Sequence, residues 1–135
     1  MAGYSGTPLT KKLGVTPGAR LMLLAAPTDF DDTLGELPDE AKIVRRLAGH
    51  ADVIVCFVTA RAELEGRIDR LEQAIFPDGG LWVAWPKRAS GVPTDMTEDV
   101  VREVGLPRGL VDNKVCAIDD TWSGLRLVWR RERRG

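Results

Sequence analysis

The segment DGGLWVAWPK, Asp78 to Lys87, limits what this chain can fold into more than any other stretch. A Gly-Gly turn opens a short apolar run, and Pro86, Lys87 and Arg88 close it. Amphipathic segments lie on either side. Such a run reads as a strand buried on both faces of a parallel sheet. Its exposed carboxyl end falls at Lys87 and Arg88. The class of fold follows from this; a reaction does not.

Other segments agree. Ala19 to Ala26 (ARLMLLAA) is a second continuous apolar run, and Asp52 to Thr59 (DVIVCFVT) is a strand of β-branched and aromatic residues. Thr59 offers an N-cap for a helix from Ala60 to Phe76. Leu64, Ile68, Leu71 and Ile75 form its buried stripe, with Arg61, Glu65, Arg67, Arg70 and Glu72 mostly opposite. Thr7 and Pro8 open a short helix that Gly14 ends. Residues 27–39 predict a loop or an irregular short helix, and 41–47 favour a short strand over a helix. Asp95 and Glu98 have capping-box spacing for a helix ending near Gly105. Lys114 to Asp119 and Gly124 to Arg130 read as strands around a hairpin loop, Asp120 to Ser123. The order predicts a three-layer, Rossmann-like α/β domain, mostly parallel, with a C-terminal antiparallel hairpin. One domain spans 1–135, with a loose tail at 1–6 and a basic tail at 131–135.

Charge narrows the partners. Formal net charge is −1, so no global field favours nucleic acid or membrane. Residues 29–40 carry six acids and no base, whereas 126–134 carry five arginines and one acid. The acidic run reads as a solvated loop. The arginine-rich end has no recognised nucleic-acid motif, so a nucleic-acid partner ranks last. Cys56 and Cys116 have neither metal nor redox spacing and read as buried thiols in a reducing cytoplasm. No apolar run approaches a membrane span, and no signal core opens the chain. Arginine outnumbers lysine fourteen to five, which points to a GC-rich bacterial genome.

Two resemblances rest on these segments. The C-terminal half, a strand after a Gly-Gly turn, then a helix and a reversed hairpin, resembles S-adenosylmethionine-dependent methyltransferases. The motifs WPK, SGVPTD and TWSGL, with AGYSGTPLTKKLG and DVIVCFVTARAELE, resemble the mainly actinobacterial domain of unknown function 3052 nearly end to end. The first resemblance implies a methyltransferase-like fold. The second implies no activity, because that family has none assigned.

In an open parallel sheet, ligands bind at the strand carboxyl ends where strand order reverses. Those ends carry Thr28 and Asp29, then Thr59 and Arg61, then Lys87, Arg88 and Ser90, with Trp122 of the hairpin at the rim. Lys87, Arg88 and the Ala89-Ser90-Gly91 amides could hold a phosphate or carboxylate. The competing reading is a solvated strand end whose Lys87 pairs with an acid such as Asp95. A nucleotide site needs glycines directly after the first strand. Here stand Ala25, Ala26, Pro27, Thr28 and Asp29, with no glycine before Gly35. Pro27 lacks an amide donor, and Asp29, Asp31 and Asp32 repel a pyrophosphate. His50 is a lone turn histidine, Ser90 and Ser123 lack a nucleophile elbow, and Asp119 and Asp120 suit a turn. No catalytic residue, metal or cofactor is expected. The leading expectation is a non-catalytic methyltransferase-like domain acting in protein interaction or regulation. The alternative is a crevice that binds or turns over a small anionic metabolite.

Overall fold

The structure, a computed structural model, describes residues 7–135, so the expected tail at 1–6 lies outside the described residues. Strands β1 (Arg20–Leu24), β2 (Lys42–Val44), β3 (Val53–Phe57), β4 (Gly80–Pro86), β5 (Leu110–Ala117) and β6 (Trp122–Trp129) form one sheet in the order β2-β1-β3-β4-β6-β5. The first four are parallel. β6 runs antiparallel to β4, and β5 antiparallel to β6. Helices α1 (Leu9–Leu13), α2 (Phe30–Leu34), α3 (Arg61–Ile75) and α4 (Glu98–Gly105) cover the two faces.

Alternation of side chains along the central strands splits the core in two. Met22, Ile54, Cys56, Leu81, Val83 and Trp85 face α3 and α4, meeting the Leu64, Ile68, Leu71 and Ile75 stripe. Leu21, Leu23, Val55, Phe57, Trp82 and Ala84 face the opposite layer, with Leu13, Phe30 and Leu34. Every residue of β3 and β4 is buried, as an apolar run without alternation requires. The second layer is thin, and Trp82 fastens it: its indole is fully buried, and Nε1–H donates to the Leu13 carbonyl at 2.9 Å.

Gly79 serves close approach: a Cβ there would lie 2.6 Å from the Ala51 carbonyl oxygen, a backbone atom, whereas one on Gly80 would meet the movable Arg126 guanidinium. Gly124 likewise leaves room for Trp82 and Ile118.

Several local expectations change. Pro8, not Thr7, sits at the N-cap position of α1. Residues 41–47 do contain a strand, β2, but only three residues long. The N-cap of α4 is Thr97, whose hydroxyl accepts from the Val100 amide at 3.1 Å; Asp95 is used elsewhere. Glu72 is buried rather than outward, in an ion pair with Arg108, and burial raises its carboxyl above the ordinary range. The final hairpin is longer than its sequence pattern: β5 begins at Leu110 and is bulged between Asp112 and Lys114, and Trp122 belongs to β6. Residues Arg131–Arg133 of the basic tail form a 3-10 turn.

Replacing Trp82 by Phe removes the indole donor, leaves the Leu13 carbonyl unpaired and opens space beside Gly124. A loss of about 2 kcal/mol in urea unfolding is expected, against under about 1 kcal/mol were the indole bond idle.

Candidate functional site

Strand order reverses between β1 and β3, so the crevice a ligand would use opens between their carboxyl ends. β1 leaves the sheet through Ala25, whose φ of 58° puts a residue with a Cβ in the left-handed region. That conformation costs a non-glycine residue roughly 1–2 kcal/mol. Ala26 and Pro27 follow. Thr28 and Asp29 are exposed, and Asp29 precedes α2 without capping it through its side chain. Phe30 then turns inward and is buried.

That inward turn brings Phe30 against the end of β3. The rings of Phe30 and Phe57 meet edge to face, with centroids 4.9 Å apart. Phe57 meets Trp122 the same way at 5.0 Å. Such pairs add to ordinary apolar burial. The aromatic row joins the loop after β1, the end of β3 and the start of β6. Trp122 is a half-buried ring at the start of β6, packed on Phe57, rather than a hairpin tip.

The end of β3 is occupied in another way. A helix amino terminus offers free amides and a positive dipole end to an anion. At the start of α3 the amides of Thr59, Ala60 and Arg61 already have carboxylates. The Glu63 Oε1 atom accepts from the Thr59 amide at 2.8 Å and the Ala60 amide at 3.2 Å. The Asp95 Oδ1 atom accepts from the Arg61 amide at 2.8 Å. Hydrogen bonds from the Thr59 amide above all, then from Ala60, hold the Glu63 carboxyl below its ordinary value. The cap expected from Thr59 is thus supplied by Glu63, one turn into the helix. Thr59 gives its carbonyl to the Thr94 hydroxyl at 2.5 Å. The Arg61 side chain points away from the crevice, to Glu65 at 2.9 Å and Glu103 at 2.6 Å.

The end of β4 is tied to the hairpin. Lys87 Nζ donates to the Asp119 carbonyl at 2.7 Å, and the Lys87 amide donates to the Thr121 carbonyl at 2.7 Å. The expected pairing of Lys87 with Asp95 is replaced by this bond, because Asp95 is committed to α3. The Ser90 hydroxyl donates to the Lys87 carbonyl at 2.7 Å and accepts from Val92, closing a 3-10 turn at Arg88–Ser90. Arg88 is exposed and has no ion pair among the described residues. Asp119 accepts from the Thr121 and Trp122 amides, the turn role its sequence position suggested.

The structure thus brings Thr59, Arg61, Lys87, Ser90 and Trp122 to one end of the sheet, mostly through bonds to each other's loops. Thr28, Asp29 and Arg88 are left exposed at its margin. Sequence reasoning missed Glu63 and Thr94. Glu63 stands three residues after the last turn residue, the capping-box spacing that could have found it.

A nucleoside cofactor is tested directly by this geometry. No glycine follows β1 before Gly35, Pro27 offers no donor, and the buried Phe30 packs beside the end of β3. An acid about twenty residues on commonly binds the ribose of a nucleotide. Here β2 is followed by Arg45, paired with Asp31 at 2.6 Å. The residues present do not fit an adenosyl group at this corner. Among the described residues, no group of three His, Cys, Asp or Glu is placed to hold a metal ion.

No family model and no curated protein sequence matches the chain. Solved structures do. A SAM-dependent methyltransferase from Aquifex aeolicus superposes with a TM-score of 0.60 at 13% identity, over 88% of this chain and 86% of that one. The fibrillarin pre-rRNA processing protein of Methanococcus jannaschii gives 0.60 at 12%, over 94% and 70%. The magnesium protoporphyrin IX methyltransferase of Synechocystis gives 0.58 at 12%, over 84% and 75%. The fold is therefore Rossmann-like and methyltransferase-like.

Two substitutions test this reading of the crevice. Ala25→Gly relieves the left-handed residue and raises unfolding stability by roughly 0.5–1 kcal/mol. Glu63→Gln weakens the α3 cap and costs about 1 kcal/mol near neutral pH. The folded carboxyl titrates below the unfolded one, so its contribution is present above about pH 4.3 and fades as pH falls through the lower folded value. Stability curves of wild type and Glu63→Gln should converge in acid; parallel curves would refute the cap.

Proposed function

We propose that this chain is a methyltransferase-like domain that does not transfer methyl groups and acts by contact with a partner. One observation carries the reading: the Phe30–Phe57–Trp122 row occupies the strand ends where a nucleoside cofactor sits in an open α/β sheet. The Ala-Ala-Pro corner after β1 supports it, since it presents neither glycines nor a full set of amides. Fold alone does not bring an activity with it. The motifs WPK, SGVPTD and TWSGL support kinship with the domain of unknown function 3052, and their residues tie strand ends together rather than present reactive groups. The free thiols of Cys56 and Cys116 suit a reducing, cytoplasmic setting. Among the described residues, no helix is long and apolar enough to cross a membrane.

A second reading keeps a small anionic metabolite at the β4 end. It draws on Lys87, which spends one of three ammonium donors on the Asp119 carbonyl, and on the exposed Arg88.

Thermal unfolding with a large excess of S-adenosylmethionine or S-adenosylhomocysteine decides the first reading. No change in Tm is expected. Ligand at 100 times its Kd would add about 2.7 kcal/mol, several degrees for a domain of this size, and such a shift would end it. A panel of phosphates and acyl-CoA decides the second. A shift lost in both Lys87→Ala and Arg88→Ala supports it, and a flat panel removes it.

A further inference from the structure

The other end of the sheet, where the parallel strands begin, carries aromatic and basic surface that the fold leaves open. Gly80 opens β4, Leu110 opens β5 and Trp129 closes β6, and the strand registers set these ends together. Phe76, the residue after α3, stands beside them 43% exposed. Its ring meets that of Trp129 edge to face, with centroids 5.5 Å apart. The indole is fixed in turn, because its Nε1–H donates to the Glu72 carbonyl at 2.8 Å. The two rings therefore form a fixed aromatic surface, with Phe76 partly open to solvent.

Arginines gather next to it. The Arg133 guanidinium and the Trp129 ring both lie over Gly109, where a Cβ would come within 3.3 Å of the first and 3.2 Å of the second. Arg134 Nε donates to the Trp129 carbonyl at 2.9 Å. Arg126 lies half-buried over Gly80 and reaches Asn113 Oδ1 only at 3.5 Å. Burial first, and the nearby Arg134 charge second, lower its pKa, so these two guanidiniums stand close enough to repel. Arg130 and Arg131 are exposed. Ion pairs among the described residues use Arg45, Arg61, Arg102 and Arg108, and none uses an arginine of 126–134.

The acids of this end do not cancel that charge. Asp69 and Glu72 are taken by Arg108, and Asp112 by Arg102. Asp52, Asp78 and Glu132 enter no ion pair among the described residues and oppose the field. The five arginines of 126–134 outnumber them.

We propose that this end of the sheet binds single-stranded nucleic acid, with the arginines of β6 and the C-terminal turn holding phosphates and a base stacking on Phe76. Guanidinium forks fit phosphate oxygens. An unpaired strand is held by cations along its backbone and by aromatic rings under its bases, since every base has a π face. A duplex offers the same phosphates but keeps its bases stacked within, so Phe76 adds nothing to its binding. An acidic peptide also leaves the ring unused. The arginine run by itself points to no particular polyanion; the aromatic pair that the fold sets beside it selects one. The inference does not rest on the cofactor reading, because the crevice lies at the opposite, carboxyl ends of the strands. Binding of S-adenosylmethionine there would leave it standing.

Fluorescence anisotropy of the full chain with labelled oligothymidylate and oligouridylate of about 16 nucleotides tests it. Wild type is expected to bind at low salt, with log K falling against log salt at a slope of about −2 to −3, the value for three or four phosphates of a single strand. Arg133→Gln with Arg134→Gln is expected to reduce that slope by about 1.4. Phe76→Leu keeps an apolar contact with Trp129 and removes the π face. It is expected to weaken binding at least about fivefold at an unchanged slope, and Phe76→Tyr to keep wild-type affinity. These side chains are exposed, and far-ultraviolet circular dichroism verifies folding. No binding of either oligonucleotide at about 50 mM salt overturns the proposal. So does binding that is indifferent to the arginine pair or to Phe76→Leu. A duplex of equal phosphate count bound as tightly, or polyglutamate competing charge for charge, also overturns it and assigns the patch to that polyanion.

Discussion

The three central strands carry apolar side chains on both faces, and neither face can be left in water. β1, β3 and β4 together expose two surfaces of Leu, Val, Ile, Phe and Trp. α3, fifteen residues long and striped at helical spacing, meets most of the demand on one side. The other side has only α1 and α2, five residues each. Helices that short do not persist on their own propensity. They hold because Trp82 reaches the Leu13 carbonyl and because Phe30 enters the aromatic row with Phe57 and Trp122. The second layer is thus anchored at the place where an open α/β sheet usually receives its ligand.

The distinctive motifs serve that anchoring. In WPK, Trp85 is core, Pro86 ends β4, and Lys87 binds the hairpin backbone. In SGVPTD, Ser90 closes a turn, Thr94 holds the end of β3, and Asp95 caps α3. In TWSGL, Thr121 receives the Lys87 amide, Trp122 joins the aromatic row, and Gly124 leaves room for Trp82. A helix amino terminus that elsewhere would attract a phosphate here faces Glu63 and Asp95. Much of the polar chemistry at the strand ends is spent on structure, with Thr28, Asp29 and Arg88 left exposed at the margin. This division separates a fold shared with methyltransferases from the chemistry that fold often carries.

Much of the architecture was legible because its signals are local. The unbroken apolar runs in β1, β3 and β4 marked buried parallel strands, and the stripe from Leu64 to Ile75 marked α3. The missing glycine after β1 was plain from residues 25–29. Other features were illegible for identifiable reasons. The early start of β5 is masked by the bulge at Asn113, which shifts its alternation by one residue. Glu72 looked outward because helical spacing places it at the edge of the stripe, yet Arg108, far along the chain, covers it. Asp95 had the spacing of a local cap and instead caps a helix thirty-four residues earlier.

The sequence by itself determined the class of fold, the order of its main elements and the lack of a glycine bend after the first strand. These rest on periodicity and on backbone chemistry confined to a few neighbouring residues. Only the tertiary structure decided that Phe30 joins Phe57 and Trp122, and that Lys87 and Asp95 have separate backbone partners. Those outcomes depend on contacts between residues tens of positions apart, where spacing along the chain carries no information about which side chains meet.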